Sequence, residues 1–181
     1  MMKAFYTLLI LLIPFIGFGQ KVINYSSDFL KFSYYDSFTE DNSVYYMDPS
    51  NKNIKLSCNS CDYGSLDNIL INYVPIDVNE KLNLMELFNT LKQDTESQML
   101  KIGLVSDFSL VKIGTESING IDIPYLIIKN IIKDIGTSYQ KIYVYQIKKT
   151  YMIILTSGNK KDLDKMQVDA NLILETFNIK K

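Results

Sequence analysis

Cys58-Asn-Ser-Cys61 contains the only two cysteines of the chain and is its one motif with a reactive group. Two thiols at this spacing can close a small disulfide. They can also form a thiol–disulfide exchange pair if the first thiolate is stabilised, as happens at a helix N-terminus. Here Ile54–Ser57 reads as strand and Asp62-Tyr63-Gly64 as turn, so no helix start is placed at the motif. The favoured reading is a disulfide between Cys58 and Cys61 that pins a turn in an oxidising compartment, with exchange chemistry and free thiols as the alternatives. A metal site needs more ligands, and the chain has no histidine and no third cysteine.

The tyrosines are the second group that could act. There are 13, and Tyr139, Tyr143 and Tyr145 fall on one parity of a single strand-like run. A stiff ring with a polar tip suits a binding surface. The competing and favoured reading is that these rings cover a sheet beneath a helix, with hydroxyls at the rim. Carboxylate pairs such as Asp162 with Asp164 and Glu40 with Asp41 are read as solvated or capping groups. Acid–base work needs two carboxyls facing one pocket, which sequence adjacency does not supply. Lys148-Lys149 and Lys160-Lys161 read as solvated turn charges. Without histidine there is no Ser-His-Asp triad. Without arginine there is no bidentate fork for phosphate or guanine. The net charge of −1 leaves no basic footprint for nucleic acid. No cofactor is expected.

Whatever these groups do depends on the elements that carry them. Phe108–Ile118, Asn119-Gly120 and Ile121–Asp134 read as strand, tight turn, strand, because both turn positions must tolerate positive φ. Ile121, Ile123, Tyr125, Ile127 and Ile131 share one parity, and Leu126, Ile128 and Ile132 the other. A strand apolar on both parities is covered on both faces. Gly136 turns the chain into Tyr139–Ile147, and Lys148-Lys149-Thr150 into Tyr151–Leu155. Asn159 then caps a helix whose Leu163, Met166, Ala170, Ile173 and Phe177 form one stripe, with Lys165, Asp169 and Glu175 off it. Upstream, Phe29–Tyr35 reads as a strand that Glu40-Asp41-Asn42 breaks. Val44–Met47 and Ile54–Cys58 read as a hairpin around Asp48-Pro49-Ser50-Asn51. Asn68–Val74 is a further strand, ended by Pro75. Asn83 opens a helix over Leu84, Leu87, Phe88, Leu91, Gln98, Met99 and Ile102, stopped by Gly103.

Met1–Gly19 reads as a signal peptide. Lys3 supplies the charge, Ala4–Ile16 the apolar run, and Gly17-Phe18-Gly19 the small residues that a signal peptidase recognises. The rival is a retained anchor, for which the run is short against the ~20 apolar residues of a span. After cleavage the protein carries 18 lysines against 20 acids, a net of −2. The expected location is therefore periplasmic or extracellular, with no stable membrane insertion once the signal is removed. Residues 20–181 show no linker and read as one domain. The connections in the last third are too short for parallel crossovers. The expected fold is therefore α+β, a largely antiparallel sheet of about six to seven strands with helices packed on its faces.

This order of elements resembles the PsbP-like α/β/α sandwich superfamily, over about residues 24–178. The likeness is carried by Asn119-Gly120, the strands within Ile121–Leu155, and the helix end Ile173-Leu174-Glu175-Thr176-Phe177. Members of the family often carry a proline and a tryptophan after the first strand, and Tyr34-Tyr35-Asp36-Ser37-Phe38 has neither. No functional residue transfers. The resemblance implies an exported, non-catalytic protein acting through contact with an unknown protein or through small-ligand binding. The alternatives are a thiol-active protein using Cys58 and Cys61, and a secreted module for an apolar or sugar ligand.

Overall fold

The computed structural model describes residues 20–41, 53–58, 67–80 and 82–180. Ten strands and two helices are described: β1 Val22–Ser26, β2 Leu30–Tyr35, β3 Phe38–Glu40, β4 Ile54–Cys58, β5 Asn68–Val74, α1 Leu84–Lys101, β6 Ser106–Ile118, β7 Ile121–Ile132, β8 Gly136–Gln146, β9 Thr150–Ser157, α2 Lys160–Thr176 and β10 Asn178–Ile179. Seven strands form one sheet in the order β3-β4-β5-β9-β8-β7-β6, and β1-β2-β10 form a small second sheet. Every pairing is antiparallel.

The consecutive strands β6 to β9 are neighbours in space, as their short turns require. Asn119 and Gly120 both have positive φ, at 52° and 76°, which only residues tolerant of the left-handed region supply readily. Registers place Leu110, Ile128, Gln140, Thr156, Asn68, Ser57 and Thr39 in one row across the large sheet. Beyond that row, at one end of the sheet, lie the α1–β6 link, the β7–β8 turn, Ser157 and Cys58. The chain also enters there. The Lys21 amide donates to the Asp36 carboxylate at 3.1 Å and the Asp36 amide donates to the Lys21 carbonyl at 2.8 Å, one turn before β3.

The faces of the large sheet have different covers. One carries α2, whose Leu163, Met166, Ala170 and Ile173 are buried against Tyr143, Ile153 and their neighbours. The other carries α1, through a smaller cluster around Phe88, Phe108, Leu126, Ile128 and Ile142. Asn159 caps α2, accepting from the Asp162 amide at 2.9 Å. Asn83 caps α1, accepting from the Met85 amide at 3.0 Å. Gly103 ends α1 with φ at 78°, as a glycine there allows.

The structure corrects the sequence reading in several places. β1 and β10 were not expected. They flank β2, and this small sheet lies on α2, with Phe177 packing on Phe32, Tyr145 and Tyr151. A second side of α2 is thereby covered, so Asp169, off the expected stripe, is buried. Glu40 belongs to β3 rather than to a break. β4 pairs with Phe38–Glu40, whereas Val44–Met47 and the turn after it lie outside the described residues. α1 buries only Phe88, because the helix meets β6 and little of β7. Ile131 is exposed, since β7 outruns the cover on its own faces.

Candidate functional site

Lys141 is 7% exposed, a charge on the same strand parity as Tyr139, Tyr143 and Tyr145. Four elements build its surroundings. β6 supplies Glu116, β7 Tyr125, β8 Lys141 and Tyr143, and α2 Gln167. Lys141 Nζ donates to Glu116 Oε1 and to Gln167 Oε1, both at 2.6 Å. It also sits 4.3 Å from the Tyr125 ring centre and 4.8 Å from that of Tyr143. The Tyr143 hydroxyl lies 2.6 Å from both Glu116 Oε2 and Gln167 Oε1, its one proton shared between two acceptors. Gln167 Nε2 donates in turn to Asn171 Oδ1 at 2.7 Å. The Tyr125 ring reaches this place by lying across Gly114, where a Cβ would stand 2.6 Å from its hydroxyl.

The electrostatics of the cluster oppose catalysis. Burial pushes the Glu116 carboxyl up, but the hydrogen bonds from Lys141 and Tyr143 outweigh it and hold the group below its usual range. Burial first, and then the hydrogen bond to Glu116, push the Tyr143 hydroxyl well up. Glu116 stays ionised and Tyr143 stays protonated at neutral pH, so neither is poised to exchange a proton there. The cluster is a satisfied polar strut between α2 and the sheet. Sequence reasoning missed it, although a lysine on a buried parity was the available signal.

The residues singled out by sequence separate. Cys58 ends β4, with its Sγ 3.4 Å from the Ser37 carbonyl, and Cys61 lies outside the described residues. Tyr143 and Tyr145 are buried and Tyr139 is half-buried. The three rings are core packing rather than an exposed strip, because α2, Phe177 and neighbouring strands cover that face. Half-buried Asp162 pairs with Lys165, and exposed Asp164 with Lys160. Asp41 pairs with Lys55 at 2.7 Å, and Glu40 accepts from the Tyr34 hydroxyl. Among the described residues no group of three metal-ligating side chains converges, and no helix is long and apolar enough to cross a membrane.

Two concavities are described. A small one of about 140 Å³ lies beside Tyr145, Lys148 and Phe177. A shallow groove of about 510 Å³ runs along the small sheet, with Tyr25 and Phe32 as well as Asn24, Lys31, Ser33 and Thr176 in its lining. Thr176 Oγ1 accepts from the Ser33 amide at 2.8 Å, and Ser33 Oγ donates to Asn24 Oδ1 at 2.7 Å. Much of the groove's polar lining is thus engaged with itself. The apolar surface is distributed differently. Leu100, Ile102, Val105 and Ile135 are each between 63% and 71% exposed, and Ile131 is exposed beside them. All five sit at the sheet end defined above. The Lys133 amide donates to the Val105 carbonyl at 2.9 Å and joins the two loops.

The architecture is an α/β/α sandwich, a seven-stranded antiparallel sheet with a small second sheet and two packed helices. It is the Mog1p/PsbP-like fold. The chain is similar to cyanobacterial PsbP (CyanoP) from Synechocystis sp. PCC 6803, with TM-score 0.54 and 10% identity, covering 88% of this chain and 93% of that one. It is equally similar to the Ran-binding protein Mog1p of Saccharomyces cerevisiae, with TM-score 0.54 and 9% identity, covering 89% and 95%. No protein-family profile and no curated protein matches the sequence. At these identities the likeness defines the fold alone.

Proposed function

We propose that this is an exported, non-catalytic domain that works by contact, through the apolar end of its large sheet. One observation carries the reading. The chain leaves four aliphatic side chains about two-thirds exposed at one place, where a fold with no contact to make would cover or replace them. The ion-pair cluster supports it from the other side, since its groups are engaged with each other. One of the two similar structures is described as binding a protein, Ran, which is compatible with a contact role. Small-ligand binding in the groove along the small sheet is the lesser alternative, because the groove is shallow and its polar groups are partly engaged with each other. Cys58 is itself a strand residue, so the thiol-active alternative is the weaker one, and the proposed state of Cys58 and Cys61 is a structural disulfide. Export through Met1–Gly19 belongs to the same proposal.

The test is a photo-reactive side chain placed at Val105 or Ile135 in the exporting cell, with exposed Val168 on α2 as the reference. Adducts at 105 and 135 that are absent at 168 support the reading. Equal labelling at all three positions overturns it.

A further inference from the structure

The large sheet ends in an open edge, and we propose that β6 pairs there, antiparallel, with β6 of a second copy of this chain about a two-fold axis at Gly114. This surface is separate from the apolar end of the contact reading. β6 is the last strand of the sheet. At 13 residues it is far longer than β3 at the other edge, which has three. Ile118 and Ile121 stand opposite each other across the two-residue turn, so they exchange both backbone bonds. Glu116, Gly114 and Lys112 repeat that bonded pairing with β7. The amides and carbonyls of Ile113, Thr115 and Ser117 therefore point away from the sheet. Among the described residues no backbone bond takes them. Such a row is a template for another strand.

The charges select the strand and its register. Lys112 and Glu116 share the α2 face of β6, one on each side of Gly114. Pairing about Gly114 sets Lys112 opposite the partner's Glu116 and Glu116 opposite the partner's Lys112, the self-complementary pattern of a two-fold contact. Opposite charges directly across a strand pair stabilise it. An axis at Ile113 sets Lys112 against the partner's Gly114, and an axis at Thr115 sets Glu116 against it, so neither matches the charges. Lys112 is exposed, and the Glu116 side chain is 34% exposed. Each Glu116 oxygen keeps a lone pair beyond its bond to Lys141 or Tyr143. On the α1 face Ile113, 40% exposed, comes against the partner's Thr115. The Tyr125 hydroxyl stands over Gly114, so two such hydroxyls meet at the axis. A bulge and a lysine ordinarily discourage edge pairing. Here the bulge falls between Leu110 and Lys112, at the end of the paired stretch, and the lysine meets a carboxylate.

Sedimentation of the protein at rising concentration measures the association, and hydrogen exchange read residue by residue locates it. Expected are a monomer–dimer equilibrium and slower exchange of the Ile113 and Thr115 amides as concentration rises. Thr115→Pro removes an outward N–H, which an edge strand tolerates. It should weaken the dimer at least about tenfold and leave the unfolding midpoint of the dilute monomer unchanged. Lys112→Glu sets like charges opposite each other twice and should weaken the dimer by a similar factor. Added salt should weaken the parent dimer. A protein that stays monomeric at about 1 mM, exchange at Ile113 and Thr115 that ignores concentration, or a dimer that survives both substitutions overturns the proposal. So does a dimer lost in Val105→Ser/Ile135→Ser and kept in Thr115→Pro. The contact reading fails separately, if cellular labelling at 105 and 135 equals that at 168.

Discussion

Removing the charge from Glu116 should destabilise the protein more than removing it from Lys141. Lys141 is the more buried partner, its side chain 9% exposed against 34% for Glu116. In Glu116→Gln the ammonium stays between the Tyr125 and Tyr143 rings with no anion. In Lys141→Met the aliphatic stem is kept and Glu116 can turn to water. A fully buried pair broken on one side costs about 3–5 kcal/mol, and the exposure of Glu116 lowers that. The expected losses are about 2.5 kcal/mol for Glu116→Gln and about 1.5 kcal/mol for Lys141→Met. The double variant leaves no unpaired charge and should be no worse than Lys141→Met, a coupling of about 2.5 kcal/mol. Urea midpoints of the protein read all three. The pH dependence has a definite sign. Glu116 is held below its ordinary 4.5 in the folded state, so its contribution is present above pH 4.5 and lost as pH falls through the folded value. The gap between parent and Glu116→Gln should close in that acid window. Additive losses, or a Lys141→Met loss exceeding that of Glu116→Gln, would refute the reasoning.

Other outcomes follow from single sites. Burial raises the Asp169 carboxyl above its ordinary 3.8, so its charged form weakens the fold as pH rises through the folded value. Asp169→Asn should therefore gain about 1 kcal/mol at neutral pH and nothing below pH 3.8, read by thermal melts across pH. Gly114→Ala drives a Cβ to within 2.6 Å of a Tyr125 ring that lies against Lys141. It should cost about 2 kcal/mol in urea unfolding. Thiol titration of the protein purified without reductant should find no reactive thiol, and both cysteines after reduction and unfolding. Two reactive thiols without reductant would remove the disulfide.

The carboxy-terminal strands were legible because their turns and parities agree. Asn119-Gly120 fixes one hairpin, and apolar residues on both parities of β7 place it between two covers. The stripe Leu163, Met166, Ala170, Ile173 and Phe177 likewise fixes the buried side of α2. The small sheet was not legible. β10 is two residues long and has no periodicity to detect. β1 alternates Ile23 and Tyr25 against polar neighbours, but over only five residues. Missing that sheet also hid the second covered side of α2, which is why Asp169 was read as exposed.

The candidate surface was visible in the sequence and was taken for core. Ile131 lies on the parity of Ile123, Tyr125 and Ile127, and Ile102 on the stripe of Phe88 and Leu91. Periodicity reports which side an apolar residue points to, and it cannot report where the opposing layer stops. β7 and α1 both run past their cover at the same end of the sheet, so residues in phase with the core emerge from it. The polar strut shows another side of this. Glu116, Lys141 and Gln167 are far apart in sequence, yet strand register and the α2 crossing bring them within 2.6 Å of shared partners. Polarity pattern alone therefore assigned Ile102 and Ile131 to the interior and gave no sign of the ion pair, and in both cases it is the extent of the covering layer that decides.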